Sequence, residues 1–117
     1  MMVDVLVIGS GGAGLVAALS AKEAGASVTV VGKSYPTRSQ TSMAQGGINA
    51  ALANVDEDSV SIHIADTLKS AQGLASEDAI KSLCEEGVDA VEWLDRIGVP
   101  FSRTSEGKIA QRRLGGA

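Results

Sequence analysis

Six residues near the start constrain this chain more than any others. Gly9-Ser10-Gly11-Gly12-Ala13-Gly14 matches G-x-G-x-x-G. The match follows an apolar, β-branched run from Asp4 to Ile8 and opens an alanine- and leucine-rich stretch, Leu15 to Ala24, which Gly25 ends. A second β-branched run, Ser27 to Val31, stops at Gly32. The pattern predicts strand, glycine turn, helix, strand, with the first strand buried in a parallel sheet. Parallel neighbours need such a crossover. In that setting the first glycine permits the tight turn, the second lets a pyrophosphate approach the backbone, and the third lets helix and strand pack closely. The helix N-terminus then offers free N–H groups and a positive dipole end to phosphate. The six residues alone are a weak signal, and their place between strand and helix makes them a strong one. The competing reading is a glycine-rich turn that binds nothing.

A dinucleotide site usually carries an acid at the end of its second strand, to hold a ribose hydroxyl. Here Gly32 and Lys33 stand in that place. A standard NAD site is thereby disfavoured, and adenosine would be held by backbone groups, Lys33 or Ser34. Composition excludes other classes. With 117 residues the chain fits one small domain at most. Ten basic against fourteen acidic residues, and three aromatics in all, leave no basic stripe or stacking platform for nucleic acid. No apolar run approaches the roughly 20 residues of a membrane span, and no signal segment opens the chain. One cysteine makes no internal disulfide, so a reducing compartment is the default. The chain opens like a true N-terminus, while the ending Arg112-Arg113-Leu114-Gly115-Gly116-Ala117 reads as a truncation.

Beyond Gly32 the polar segment Ser34 to Asn49 reads as a long loop, and loops of that length usually have a function. Ile48 to Ala53 could begin a short helix. Asp58 to Gln72 sets Val60, Ile64, Thr67, Leu68 and Ala71 on one helical face. Ser76 is a plausible N-cap, with Glu77 and Asp78 in the first turn. Apolar spacing then continues to Gly98, with a possible break at Gly87. Pro100 to Arg103 and Lys108 to Arg112 read as two short strands around a Glu106-Gly107 turn.

The loop brings in a resemblance. Lys33-Ser34-Tyr35-Pro36-Thr37-Arg38-Ser39-Gln40-Thr41, followed by Ala44-Gln45-Gly46-Gly47-Ile48, resembles the flavoprotein subunit of succinate dehydrogenase and fumarate reductase. Gly98-Val99-Pro100-Phe101-Ser102-Arg103, Gly107-Lys108-Ile109-Ala110-Gln111-Arg112 and Gly115-Gly116 are similar to the same family, as is His63 with Asp66-Thr67. The resemblance runs over nearly the whole chain. It implies an α/β fold, the N-terminal part of a Rossmann-like FAD-binding domain, with the rest of the sheet and a capping domain absent from residues 1–117. It implies FAD with its pyrophosphate on Gly9, Ser10, Gly11, Gly12, Ala13 and Gly14. It places Gly32, Lys33 and Ser34 beside the cofactor, and wraps the flavin with Ser39, Gln40, Thr41, Ala44, Gln45, Gly46 and Gly47. Small residues there let main chain approach the ring.

Many members carry a histidine, covalently bonded to the flavin, where this chain has Gln40. An amide is no nucleophile, so the FAD is expected to be non-covalent and lower in potential, with a bias towards fumarate reduction. Leu114 stands where the family often has phenylalanine near the dicarboxylate, and Gly46 also lies near the substrate in the family. The cationic and acid–base groups for dicarboxylate chemistry lie downstream of this segment in the family, so these residues alone are expected to bind cofactor and not to catalyse. An isolated chain is expected to be poorly stable and to expose apolar faces. The resemblance also implies an iron–sulfur subunit and a membrane anchor, and hence a cytoplasmic, peripheral location on the inner face of the membrane with no direct insertion.

Three alternatives compete. L-aspartate oxidase shares the Ala-Gln-Gly-Gly element and non-covalent FAD, but Pro100-Phe101-Ser102-Arg103 argues against it. A non-catalytic flavin-binding module fits a chain that ends at Ala117. A NAD-binding regulatory domain is disfavoured by Gly32. Among other residues, His63 reads as structural, within reach of Asp66. Cys84 reads as a small core residue, Trp93 as packing, and Glu85-Glu86 and Asp56-Glu57-Asp58 as solvated clusters, with no metal site expected.

Overall fold

The computed structural model describes residues 2–44 and 47–113. The chain divides into two compact units, Met1–Gly47 and Ile48–Ala117. In the first, strand β1 (Val5–Ile8) leads through the glycine turn into helix α1 (Gly12–Glu23) and back to strand β2 (Val28–Val31). The strands pair in parallel, Val5 opposite Val28 through Ile8 opposite Val31. The start of the sheet is tied by side chains: Asp4 Oδ2 accepts from the Ser27 N–H at 2.8 Å and from its hydroxyl at 2.6 Å. These two bonds hold the Asp4 carboxyl below its ordinary pKa.

Helix α1 starts earlier than its apolar content predicts, at Gly12, so two motif glycines lie inside it. The strands are also less covered than a parallel sheet leads one to expect. Val5 and Val7 are half-buried, Leu6 is 56% exposed and Ile8 84%. One helix over two strands cannot cover both faces, and no residue of α1 is fully buried. The apolar faces expected of the chain are therefore present.

The long polar loop is more ordered than its composition suggests. Pro36–Arg38 forms one 3-10 turn, and Gln40–Met43 a short helix, α2. Proline at the first position pre-sets the turn's φ. Ser39 caps α2 by accepting from the Ser42 N–H at 3.3 Å, and the Ser42 hydroxyl donates to the Pro36 carbonyl at 3.0 Å.

The second unit is built on α3 (Val60–Ala71) and α4 (Glu77–Arg96), which pack together. The predicted α3 face is the half-buried one, and α4 supplies the fully buried Ile80, Cys84 and Val91. Ser59, which sequence reading passed over, caps α3 through the Ile62 N–H at 3.2 Å. Ser76 caps α4 as predicted, through the Ala79 N–H at 3.2 Å. Helix α4 runs through Gly87 without a break. A mid-helix glycine costs only about 1 kcal/mol, less than twenty residues of cooperative helix supply.

Two further expectations are corrected. Ile48 to Ala53 forms no helix. Ala53 has φ +51, and Gln111 holds the segment from both sides of its amide. Gln111 Oε1 accepts from the Asn54 N–H at 2.9 Å while Nε2 donates to the Ala50 carbonyl at 2.9 Å. The predicted hairpin shrinks to one antiparallel bridge, Arg103 opposite Ile109. Its turn is where predicted, with Gly107 at φ +83.

Candidate functional site

The first unit brings the C-terminal ends of β1 and β2 beside the N-terminus of α1. Gly9 leaves β1 with φ +121, a conformation L side chains rarely adopt, and its N–H donates to the Val31 carbonyl at 2.8 Å. Gly14 is the close-packing glycine. A Cβ there would run into the Gly9 carbonyl oxygen, with the Gly9 carbonyl carbon at 2.9 Å and Val7 Cγ1 at 3.4 Å. The roles expected of the first and third glycines are therefore both visible.

The start of α1 suits an anion. Its N-cap is Gly11, which offers no side-chain cap, and no acid lies in the first turn. The early N–H groups of a helix have no intrahelical acceptor, and the helix dipole makes their surroundings positive. Gly12 is the exception. Its N–H donates to Thr41 Oγ1 at 3.0 Å, a contact spanning 29 residues that brings the polar loop onto the helix.

The end of β2 is shaped by a small–small pair. A Cβ at Gly32 would lie 2.5 Å from the Ser10 hydroxyl and 3.1 Å from the Ser34 carbonyl oxygen. Ser10 fills the space that a larger strand-end side chain would take. An open cavity of about 340 Å³ follows the end of β2, lined by Gly32, Ser34, Tyr35 and Pro36. Gly9, Ser10, Gly11, Gly12, Ala13, Gly14, Gly32, Ser34, Ser39 and Thr41 thus gather at one end of this unit. Gln40 opens α2 beside Thr41 and is exposed, as is Ala44, which caps the end of that helix. Lys33 is exposed in the segment that follows β2. Gly47 has φ +130 and open space where a Cβ would stand. Gln45, Gly46 and Leu114 lie outside the described residues.

A model of the FAD binding domain family matches residues 4–117. The chain belongs to that family. FAD is its cofactor, and the glycine cradle and acid-free helix start fit the pyrophosphate of FAD. Within the family, the succinate dehydrogenase flavoprotein subunit of Rickettsia bellii is 50% identical over 113 residues. That match covers 97% of this chain and 19% of the relative. The 8-methylmenaquinol:fumarate reductase flavoprotein subunit of Wolinella succinogenes is 46% identical over 116 residues, again 97% of this chain and 19% of the relative. Among solved structures, Mycobacterium smegmatis Sdh1 in complex with UQ1 superposes with a TM-score of 0.91 at 43% identity, covering 97% of this chain and 19% of that one. The open conformation of a flavocytochrome c3 fumarate reductase gives 0.77 at 33% identity, covering 91% and 20%. The chain therefore spans about a fifth of the length of the curated relatives it matches.

The Cys84 thiol is 0% exposed and lies 3.7 Å from Thr67 Oγ1, a core residue as predicted. His63 Nδ1 is buried without a hydrogen-bond partner, so the expected bond to Asp66 is not made at that nitrogen. Among the described residues no cluster of His, Cys, Asp or Glu could hold a metal, and no helix is long and apolar enough to cross a membrane.

What sequence reading missed is the reach of Thr41 to Gly12 and the fit of Ser10 over Gly32. Residue spacing carries no signal for either, because both contacts depend on how the loop folds back.

Proposed function

We propose that residues 1–117 form the FAD-binding part of a flavoprotein that interconverts succinate and fumarate, with the cofactor held non-covalently. The observation that carries this reading is the contact between Thr41 and Gly12, which sets the loop beginning Pro36-Thr37-Arg38-Ser39-Gln40 against the start of α1. Identity of 46–50% to proteins named for both directions of the reaction supports it.

Bound FAD supplies a hydride acceptor or donor to the dicarboxylate. The residues of this chain hold and orient it. Ala13 and Gly14 present N–H groups to the pyrophosphate. Gly32, Ser10, Lys33 and Ser34 receive the adenosine in place of a strand-end acid. Ser39, Gln40, Thr41, Ala44 and Gly47 face the flavin. Gln40 carries no nucleophile, so no bond to the flavin forms, and the lower potential that follows favours fumarate reduction. An iron–sulfur subunit exchanges electrons with this site, supplying them for fumarate reduction, and with an anchor holds the assembly at the inner face of the membrane.

The test uses the full-length protein. Acid precipitation should release all of the flavin into the supernatant, and a viologen donor should drive fumarate reduction faster than succinate is oxidised. Flavin retained in the pellet refutes the non-covalent reading. Oxidation of L-aspartate without fumarate reduction refutes the substrate reading.

A further inference from the structure

Helix α1 lacks a cap of its own. Gly11 has extended backbone (ψ −174) and no side chain to accept from the first turn. The acceptor comes instead from Thr41, whose Oγ1 lies 3.0 Å from the Gly12 N–H. The glycines make room for it. A Cβ at Gly12 would stand 3.2 Å from both Thr41 Oγ1 and Cγ2, and one at Gly11 3.6 Å from Oγ1. Of the two, Gly12 is the one whose missing side chain leaves room for the threonine, since 3.6 Å at Gly11 is an ordinary contact. Thr41 is also presented firmly. It sits in α2, with Ser39 capping that helix and Ser42 bonded back to Pro36.

Two consequences follow. The Gly12 N–H is already taken, so Ala13 and Gly14 are the first-turn donors left for pyrophosphate. The residue next to Thr41 is Gln40, the position read above as facing the flavin. One hydroxyl therefore joins the part of the chain that meets the phosphates to the part that meets the ring.

We propose that Thr41 is a positioning residue: its hydroxyl caps α1 at Gly12, removes that N–H from the phosphate cradle, and sets the register between Gln40 and the pyrophosphate helix. The proposal rests on the reading of Gln40 as flavin-facing. It extends that reading by giving the Thr41 hydroxyl a partner in the protein.

The experiment compares wild type, Thr41→Val, Thr41→Ser and Gln40→Ala in the full-length protein. It measures affinity for FAD, affinity for ADP (adenosine and pyrophosphate without flavin), and the visible circular dichroism of bound flavin. Valine keeps the shape and loses the acceptor. Thr41→Val should weaken FAD about tenfold, the size of a lost helix cap, and alter the flavin spectrum. ADP affinity should change less than about twofold, because Ala13 and Gly14 still meet the phosphates. Thr41→Ser should restore both FAD affinity and spectrum. Parallel losses of FAD and ADP would make Thr41 a phosphate ligand and overturn the proposal, as would unchanged FAD binding. If Gln40→Ala leaves the flavin spectrum untouched, the flavin-facing reading fails and takes the register claim with it. A changed Gln40→Ala spectrum beside an unchanged Thr41→Val spectrum overturns the Thr41 proposal alone.

Discussion

Replacing Gly14 by alanine tests the cradle most sharply, because two effects of opposite sign compete there. Gly14 is a helical residue, and an unobstructed Gly→Ala change inside a helix stabilises by about 1 kcal/mol. The added methyl, however, points into main chain. It meets the Gly9 carbonyl oxygen, with the carbonyl carbon at 2.9 Å. That carbonyl is main chain rather than the free end of a side chain, so relief needs the turn or the helix itself to move. Restoring a normal contact of about 3.5 Å moves the helix by roughly half an ångström or more. Overpacking of this kind costs about 1–3 kcal/mol. Set against the propensity gain, the expected outcome is a net loss of up to about 2 kcal/mol. The same shift displaces the Ala13 and Gly14 N–H groups proposed to meet the pyrophosphate, so FAD affinity should fall tenfold or more. Denaturant unfolding and titration of flavin fluorescence in the full-length protein measure the two effects. A Gly14→Ala protein as stable as wild type, with unchanged FAD affinity, would refute the reasoning.

Three other outcomes are expected. Gly32→Ala should destabilise and weaken FAD, and adding Ser10→Ala should recover at least half of the loss, since the Ser10 hydroxyl is the nearest obstacle at 2.5 Å; a strictly additive double mutant would contradict this. The Asp4 carboxyl is held below its ordinary pKa by Ser27, so its contribution to stability is present at neutral pH and lost as pH falls through the lowered value. Asp4→Asn should therefore lower stability near pH 7 and flatten the acid limb of the stability profile, and an unchanged acid limb would count against the Ser27 bonds. The Cys84 thiol, 0% exposed, should resist a thiol reagent in the native protein and react only as the second unit unfolds; rapid native labelling would show that the α3–α4 core opens.

Several features were legible in the sequence because their causes are local. The strand–glycine–helix–strand order follows from β-branched runs broken by glycine. The cap at Ser76 follows from one hydroxyl three residues before an N–H, and the α3 face from helical spacing. Other features were not local, and there the residue pattern misled. Gly87 signalled a break that a long helix absorbed. Ile48 to Ala53 looked helical, but Gln111, some 60 residues on, took its backbone groups. Two predicted strands became one bridge because few residues of that short hairpin pair.

Local sequence was enough to place a glycine turn between β1 and α1, since the glycine positions answer steric requirements of neighbouring atoms along the chain. It also determined, by leaving glycine where an acid is usual, that β2 would not end in a ribose-binding carboxylate. That Ser10 fills the space above Gly32, and that Thr41 takes the Gly12 N–H, became visible in the folded chain alone. Each is a meeting of segments more than twenty residues apart. A hydrogen bond needs its two atoms within about 3 Å, and sequence spacing says nothing about that until the chain has folded back on itself.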